Sequence, residues 1–256
     1  MTHNEKIPLS VVIISYNAAA VLPRCLDSVQ FADDIVLIDS GSSDGTIEIA
    51  RAKGARVTHQ DWLGFGPQKQ FAVETGRHDW VLCIDTDERV SEALQASLRA
   101  ELGAPKFHAY AMARCNRFMG RWLRHGEGYP DWSLRLFDRR VARWSNDTVH
   151  EAVLTEEPVG RLHGDLLHES AEDLDTYLAK QNSYTTLQAQ ALAQRGESAG
   201  IARLVLSPVV RFIKFYLLRA GYMDGVPGLV HITIGCMNSL VKYAKLRELQ
   251  RRNTSA

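Results

Sequence analysis

Asp79-Trp-Val-Leu-Cys-Ile-Asp-Thr-Asp-Glu88 is the stretch that decides the fold. Its run of successive apolar residues has strand length and suits a sheet buried on both faces. It ends in two carboxylates two positions apart. Working outward, Leu9-Ser-Val-Val-Ile-Ile-Ser15 and Asp34-Ile-Val-Leu-Ile-Asp39 repeat the pattern upstream, and residues 56–59 supply a third, shorter strand. Helices are expected at about residues 20–29, 46–53 and up to Glu74, with another over 91–101 for which Ser91 is the N-cap. Four strand–helix units in about 100 residues specify an α/β fold with a Rossmann-like, mixed but mostly parallel sheet flanked by helices. Ligands of such sheets bind beyond the carboxyl ends of the strands. Those ends read Ser15-Tyr-Asn17, Asp39-Ser40 and Asp85-Thr-Asp87.

From Tyr110 to Glu156 the pattern changes to shorter strand-like pieces rich in aromatics and arginine, such as Arg114-Cys-Asn-Arg117 and Trp132-Ser-Leu-Arg-Leu-Phe137. This half is expected to handle a second substrate. A polar amphipathic helix should follow over 169–194, ended near Gly196. The organisation expected is one catalytic domain over residues 1–170, with a nucleotide-binding half at 1–102 and an acceptor half at 103–170, and a C-terminal helical extension at 171–256.

The chain has 256 residues, 45% of them hydrophobic, enough for a substantial core. Its 30 basic and 30 acidic side chains cancel overall, yet residues 201–256 hold nine basic and two acidic, so the C-terminal segment is cationic. Leu204 to Arg219 is apolar, with Arg203, Arg211 and Lys214 gathered on one side, as in a helix lying in a membrane interface. Residues 226–241 are shorter than the ~20 needed to span a bilayer. Attachment to a membrane surface through residues 201–256 is therefore expected, and nucleic acid is not an expected partner because the basic tail is rich in Leu, Val, Ile and Phe. The N-terminal residues lack an apolar stretch of signal-peptide length, and the four cysteines, Cys25, Cys83, Cys115 and Cys236, lack metal-type spacing. Both point to a cytoplasmic protein with reduced thiols, peripheral on the inner face of the cytoplasmic membrane.

Carboxylates suit hard cations, and Mg²⁺ commonly takes one or two of them with water and substrate phosphate completing its shell. Asp85 and Asp87 are placed for that, although a strand-end Asp also caps helices. Asp39 is placed to accept hydrogen bonds from a ribose or base, or to be an ordinary turn residue. The absence of GxGxxG and of GxxxxGK[ST] argues against a dehydrogenase and an ordinary NTPase.

Val11-Val-Ile-Ile-Ser-Tyr-Asn17, Ile35-Val-Leu-Ile-Asp-Ser-Gly-Ser-Ser-Asp-Gly-Thr46 and Trp80-Val-Leu-Cys-Ile-Asp-Thr-Asp-Glu88, in that order, resemble the three opening signatures of family-two inverting glycosyltransferases with the GT-A fold. Gly64-Phe-Gly-Pro-Gln-Lys-Gln70, Tyr129-Pro-Asp-Trp-Ser-Leu-Arg-Leu-Phe137, Thr148-Val-His-Glu151, Leu167-His-Glu-Ser170 and Gly221-Tyr-Met-Asp-Gly225 are similar to a narrower branch. That branch includes lipopolysaccharide inner-core β-1,4-glucosyltransferases, which transfer glucose from UDP-glucose to a heptose. No Gln-x-x-Arg-Trp motif of the processive members is present.

The resemblance implies a UDP-sugar donor, a lipid-linked saccharide acceptor, and Mg²⁺ or Mn²⁺. Asp39 would hold the uridine, Asp85 the ribose or the ion, and Asp87 the ion. Asn17 and Lys69 would contact the donor, Lys69 by neutralising the departing diphosphate if it is not simply a surface lysine. An inverting transfer needs one general base for the acceptor hydroxyl; Glu151 is favoured over Asp131, and the family's usual Glu-Asp base motif is not evident. His168 would be a third metal ligand or a structural histidine. Arg135 and His150 fall on the acceptor side, Arg135 as a fork for a phosphate or as the partner of Asp138 or another acid.

Overall fold

The computed structural model describes residues 6–147, 151–170 and 173–254. Strand β1 (Ile7–Ser15) lies at the heart of the sheet. It runs parallel to β2 (Ala32–Asp39) on one side and, in register Ile14 with Asp85, to β4 (Trp80–Asp85) on the other. Strand β3 (Arg56–His59) pairs parallel outside β2. The helices expected between the strands form as α1 (Leu22–Ser28), α2 (Thr46–Ala52) and α3 (Phe65–Thr75). The alternation of side chains explains the burial: Leu9, Val11 and Ile13 enter one core layer with Leu37, Leu82 and Ile84, while Val12 enters the other with Val36, Ile38, Val81 and Cys83. Each fully buried Leu, Ile or Val contributes roughly 1.5–3 kcal/mol, which is why this run cannot slip by one residue.

After the Asp85-Thr-Asp87 turn come β5 (Glu88–Val90) and α4 (Glu92–Gly103), whose N-cap Ser91 accepts from the Leu94 amide at 3.3 Å. Strand β6 (Ala109–Phe118) follows, with a short partner, β7 (Arg121–Trp122). Then come β8 (Asp131–Asp138), a hairpin of β9 (Ala142–Trp144) and β10 (Val153–Thr155), and β11 (Val159–His168). Among the described residues the main sheet has the order β3-β2-β1-β4-β8-β6-β11-β5, with β7 on β6. It is parallel through β4 and antiparallel where β8 joins β4 and where β5 joins β11. The sheet is thus mixed, parallel in its N-terminal half and flanked by helices, as the sequence specified. The pairing of Glu88 with His168 in β5 and β11 carries His168 to the end of β4.

The chain divides into two compact units, Met1–Cys115 with Asp131–Glu169, and Asn116–Pro130 with Ser170–Ala256. The second contains α5 (Leu174–Gln194), α6 (Ile201–Phe212), a π-helical turn over Ile213–Leu218, a 3₁₀ turn over Gly221–Asp224, and α7 (Gly225–Thr254). Helix α5 starts later than the expected residue 169 because β11 continues through His168 and Asp173 caps the helix, accepting from the Thr176 amide at 2.7 Å. Helix α6 has no buried residue and exposes Ile201, Val205, Leu206, Val209 and Val210. Among the described residues no helix is long and apolar enough to cross a membrane.

Candidate active site

The carboxyl ends of β1, β2 and β4 place Ser15, Asp39 and Asp85 along one edge. Asp39 is fully buried. Its Oδ1 accepts from the amides of Gly41 and Ser42 at 2.9 and 2.8 Å, and its Oδ2 from the hydroxyls of Ser15 and Ser42 at 2.8 and 2.5 Å. A carboxylate offers about four acceptor positions, and all four are filled. Burial works against the ionised form, but the Ser42, Ser15 and Gly41 donors outweigh it and hold the Asp39 carboxyl below its ordinary range. Asn17, at a left-handed φ of 48°, is tied into the same loop: its amide donates to Ser42 Oγ and its Oδ1 accepts from the Ser43 amide. The structure therefore brings Asn17 and Asp39 together as the frame of the 40–46 loop. Gln68, which sequence reasoning did not single out, is buried in α3 and ties that loop to the next by donating to Ser40 Oγ and Gln60 O.

Asp85 stands at the centre of a line of alternating charge. Its Oδ1 lies 3.2 Å from Lys69 Nζ, which in turn lies 3.0 Å from Glu151 Oε1. Its Oδ2 lies 3.1 Å from Arg135, whose guanidinium also reaches Glu88 Oε1 at 3.4 Å. Arg114 continues the line, 3.9 Å from Glu88 and 2.7 Å from Asp131. Four acids and three cations alternate, so one negative charge is uncompensated within the line. Burial pushes the Asp85 carboxyl up, but Arg135 and then Lys69 overcome it and hold it at about 2. Glu88, with no exposed side-chain area, also caps the turn by accepting from the Asp85 amide at 2.9 Å, and its burial pushes its carboxyl above the usual range. Trp144 lies beneath both Lys69 and Arg135, 4.9 and 5.6 Å from ring to cation.

Lys69 and Arg135 are both buried. Lys69 is thus no surface lysine, and Arg135 is engaged by Asp85 and Glu88, while Asp138 pairs with Arg140 at 2.6 Å. Replacing Arg135 by methionine would leave Glu88 buried without its nearest cation and Asp85 with Lys69 alone. Breaking such a pair costs about 3–5 kcal/mol, and a chain of this size shifts its Tm by roughly 2–4 °C per kcal/mol. A drop of about 6–20 °C in a thermal melt is expected, and an unchanged Tm would remove Arg135 from the framework of the site.

Asp87 sits apart from that line. Its Oδ2 is 3.2 Å from His168 Nε2, and its carbonyl accepts from the Glu169 amide at 3.0 Å. Adjacent ligands of an octahedral ion with bonds of about 2.1 Å stand ~3 Å apart, so these two atoms are already spaced as neighbouring ligands. Among the described residues no group of three or more His, Cys, Asp or Glu forms a closed metal site. The donor set fits a hard divalent ion that completes its shell with water and phosphate oxygens. His150 lies outside the described residues.

Gly66 of α3 packs against the backbone at Ser145 and Asp147. A Cβ there would stand 2.2 Å from the Ser145 carbonyl oxygen and 2.7 Å from that of Asp147. Gly66→Ala must push these backbone atoms away, a strain of about 1–3 kcal/mol. The variant is expected to lose activity at a temperature where it remains folded by circular dichroism.

The carboxyl ends of the parallel strands gather Asp39 and Asp85, with Asp87 just beyond β4 beside His168 of β11, at the edge where an open α/β sheet binds its ligand. Residues 10–155 match the model of glycosyl transferase family 2, and the chain belongs to that family of enzymes. It is 30% identical over 249 residues to the lipopolysaccharide core biosynthesis glycosyltransferase LpsC of Rhizobium meliloti, covering 94% of this chain and 92% of that one. It is also 30% identical to an uncharacterized glycosyltransferase of Rickettsia typhi, over 94% of this chain and 87% of that one. Among solved structures, mannosyl-3-phosphoglycerate synthase from Rubrobacter xylanophilus aligns with a TM-score of 0.47 at 19% identity, over 76% of this chain and 77% of that one.

Proposed function

We propose that the chain is an inverting hexosyltransferase that takes glucose from UDP-glucose and adds it to a heptose of a lipid-linked core saccharide. The similarity to LpsC over nearly the full length of both chains supports the acceptor class. The single observation that carries the mechanism is the Glu151–Lys69–Asp85 chain, which sets a carboxylate and a cation side by side at the end of β4.

In this reading Asp87 and His168 hold a Mg²⁺ or Mn²⁺ ion, which when bound offsets charge on the donor diphosphate. Asp85 and the Asp39–Asn17 frame orient the nucleoside, and Lys69 faces the departing phosphate. Lys69 leaving Glu151 for the diphosphate frees the Glu151 carboxylate for the acceptor hydroxyl. The oxygen of that hydroxyl attacks the anomeric carbon, its proton passes to Glu151, and the bond to UDP breaks on the opposite face. Asp131 Oδ2 takes both Nε and NH2 of Arg114, at 2.9 and 2.7 Å, and is a holding group for acceptor hydroxyls. Arg135 sets Asp85 and leaves acceptor contacts to other groups. The cationic C-terminal helices keep the enzyme at the membrane surface where a lipid-linked acceptor resides.

The test is UDP release from UDP-glucose with purified core lipids truncated just before and just after the heptose. Turnover is expected with the heptose-bearing lipid alone; equal turnover with both, or turnover with a polyprenyl phosphate instead, would overturn the acceptor assignment.

A further inference from the structure

The second compact unit carries a feature that transfer chemistry does not use. Between the π-helical turn and α7 the chain reverses sharply, with Ala220 at φ 52° and Gly225 at φ 65°. The reversal displays Leu217, Leu218, Tyr222, Met223 and Val226 outward, Leu218 at 78% and Val226 at 66% exposure. A folded chain seldom leaves so many large apolar side chains together in water.

This knob is held rigidly. Asp224 is buried beneath it, and its carboxylate accepts from the amides of Arg124 and His125 at 3.0 and 2.8 Å and meets His125 Nδ1 at 3.0 Å. The Gly126 amide donates to Arg219 O at 2.9 Å, and Gly221 packs so closely that a Cβ there would stand 2.7 Å from the Phe215 carbonyl oxygen. The same contacts gather cations round the apolar tip. Arg121 donates to Met223 O at 3.0 Å, Arg219 donates to Tyr129 O at 3.3 Å, and Lys214 and Arg124 are exposed beside them in the chain. The segment 116–130, remote in sequence from the C-terminal helices, thus supplies half of a cationic collar.

We infer that the 217–226 turn is an anchor that enters an anionic lipid surface, with Arg121, Arg124, Lys214 and Arg219 gripping phosphate groups at headgroup level. The inference deepens the membrane part of the reading above by naming its site. Guanidinium forks match phosphate oxygens, and an apolar tip inside a basic ring fits the two layers of a bilayer leaflet, acyl chains below and phosphates above. The chemistry selects an anionic lipid over a neutral one.

The experiment uses the full chain and sedimentation with vesicles of phosphatidylcholine alone or in equal mixture with phosphatidylglycerol. Wild-type binding to the anionic vesicles is expected to weaken roughly a hundredfold when Arg121, Lys214 and Arg219 are changed to Gln, at about tenfold per 1.4 kcal/mol and near 1 kcal/mol per cation. Leu218→Asp, at a solvent-exposed position that leaves folding intact, is expected to abolish binding to the anionic vesicles. A charge-matched control changes Arg195, Arg251 and Arg252 to Gln and should lose tenfold less. Equal losses in collar and control, or wild-type binding by Leu218→Asp, would overturn the anchor. UDP release from UDP-glucose with the heptose-bearing core lipid in detergent, measured on the same proteins, should be unchanged; its absence in the wild type would instead sink the transferase reading while leaving the vesicle result intact.

Discussion

Asp87→Ala is expected to lower UDP-glucose turnover by roughly a thousandfold or more, about 4 kcal/mol of transition-state stabilisation. Asp87 presents its carboxylate beside His168 Nε2, 3.2 Å away, and the two are spaced as neighbouring ligands. Removing the carboxylate leaves the imidazole alone, and a lone neutral ligand is a poor site for a hard cation. Folding should survive, because the Asp87 side chain is part-exposed and its main-chain bond to Glu169 remains. The diagnostic readout is Mn²⁺ binding by electron paramagnetic resonance with UDP present, which should weaken in parallel with turnover. Full activity of the wild type in excess chelator would sink the role given to Asp87.

Glu151→Gln tests the other half of the reaction. Loss of a general base costs about 10²–10⁴-fold, and the loss should fall on kcat, with the KM for UDP-glucose little changed. Gln cannot take the proton, yet its carbonyl still accepts from Lys69, so the donor side keeps its geometry. Asp131→Asn should cost less than about tenfold in kcat and act mainly on acceptor KM, because Asp131 is engaged with Arg114. The reverse ranking would transfer the base to Asp131.

The parallel half of the sheet was legible because its strands are apolar on both faces, a pattern that leaves few alternatives. Ser15, Asp39 and Asp85 could be placed from it, since each directly follows the apolar run of a strand. The charge line was not legible. Arg135 and Arg114 reach it from β8 and β6, antiparallel strands inserted beside β4 by pairings that no local pattern encodes. The signal available for Glu88 was its place directly after the carboxylate pair, and for Arg114 its place in an arginine-rich strand. Neither says that the two meet. The filled acceptors of Asp39 were likewise hidden, since they depend on how residues 41 and 42 fold back. Helix α5 was placed too early because a polar run following a strand reads like the start of a helix, and only the Asp173 cap marks its true beginning.

The path of the chain between the two compact units has a bearing on ancestry and on engineering. The backbone crosses from one to the other at residues 115–116, 130–131 and 169–170, and β6 itself continues across the first crossing. A gene fusion that simply appended helices to a finished catalytic domain would produce a single crossing. Here the insert 116–130 and the C-terminal helices hold each other, since Asp224 and Arg211 bind His125 and Glu127. Trimming the gene after codon 170 would therefore strip Phe118 of its ring contacts with Tyr177 and His231, and a chimera that exchanges the C-terminal helices between relatives has to exchange the 116–130 insert with them.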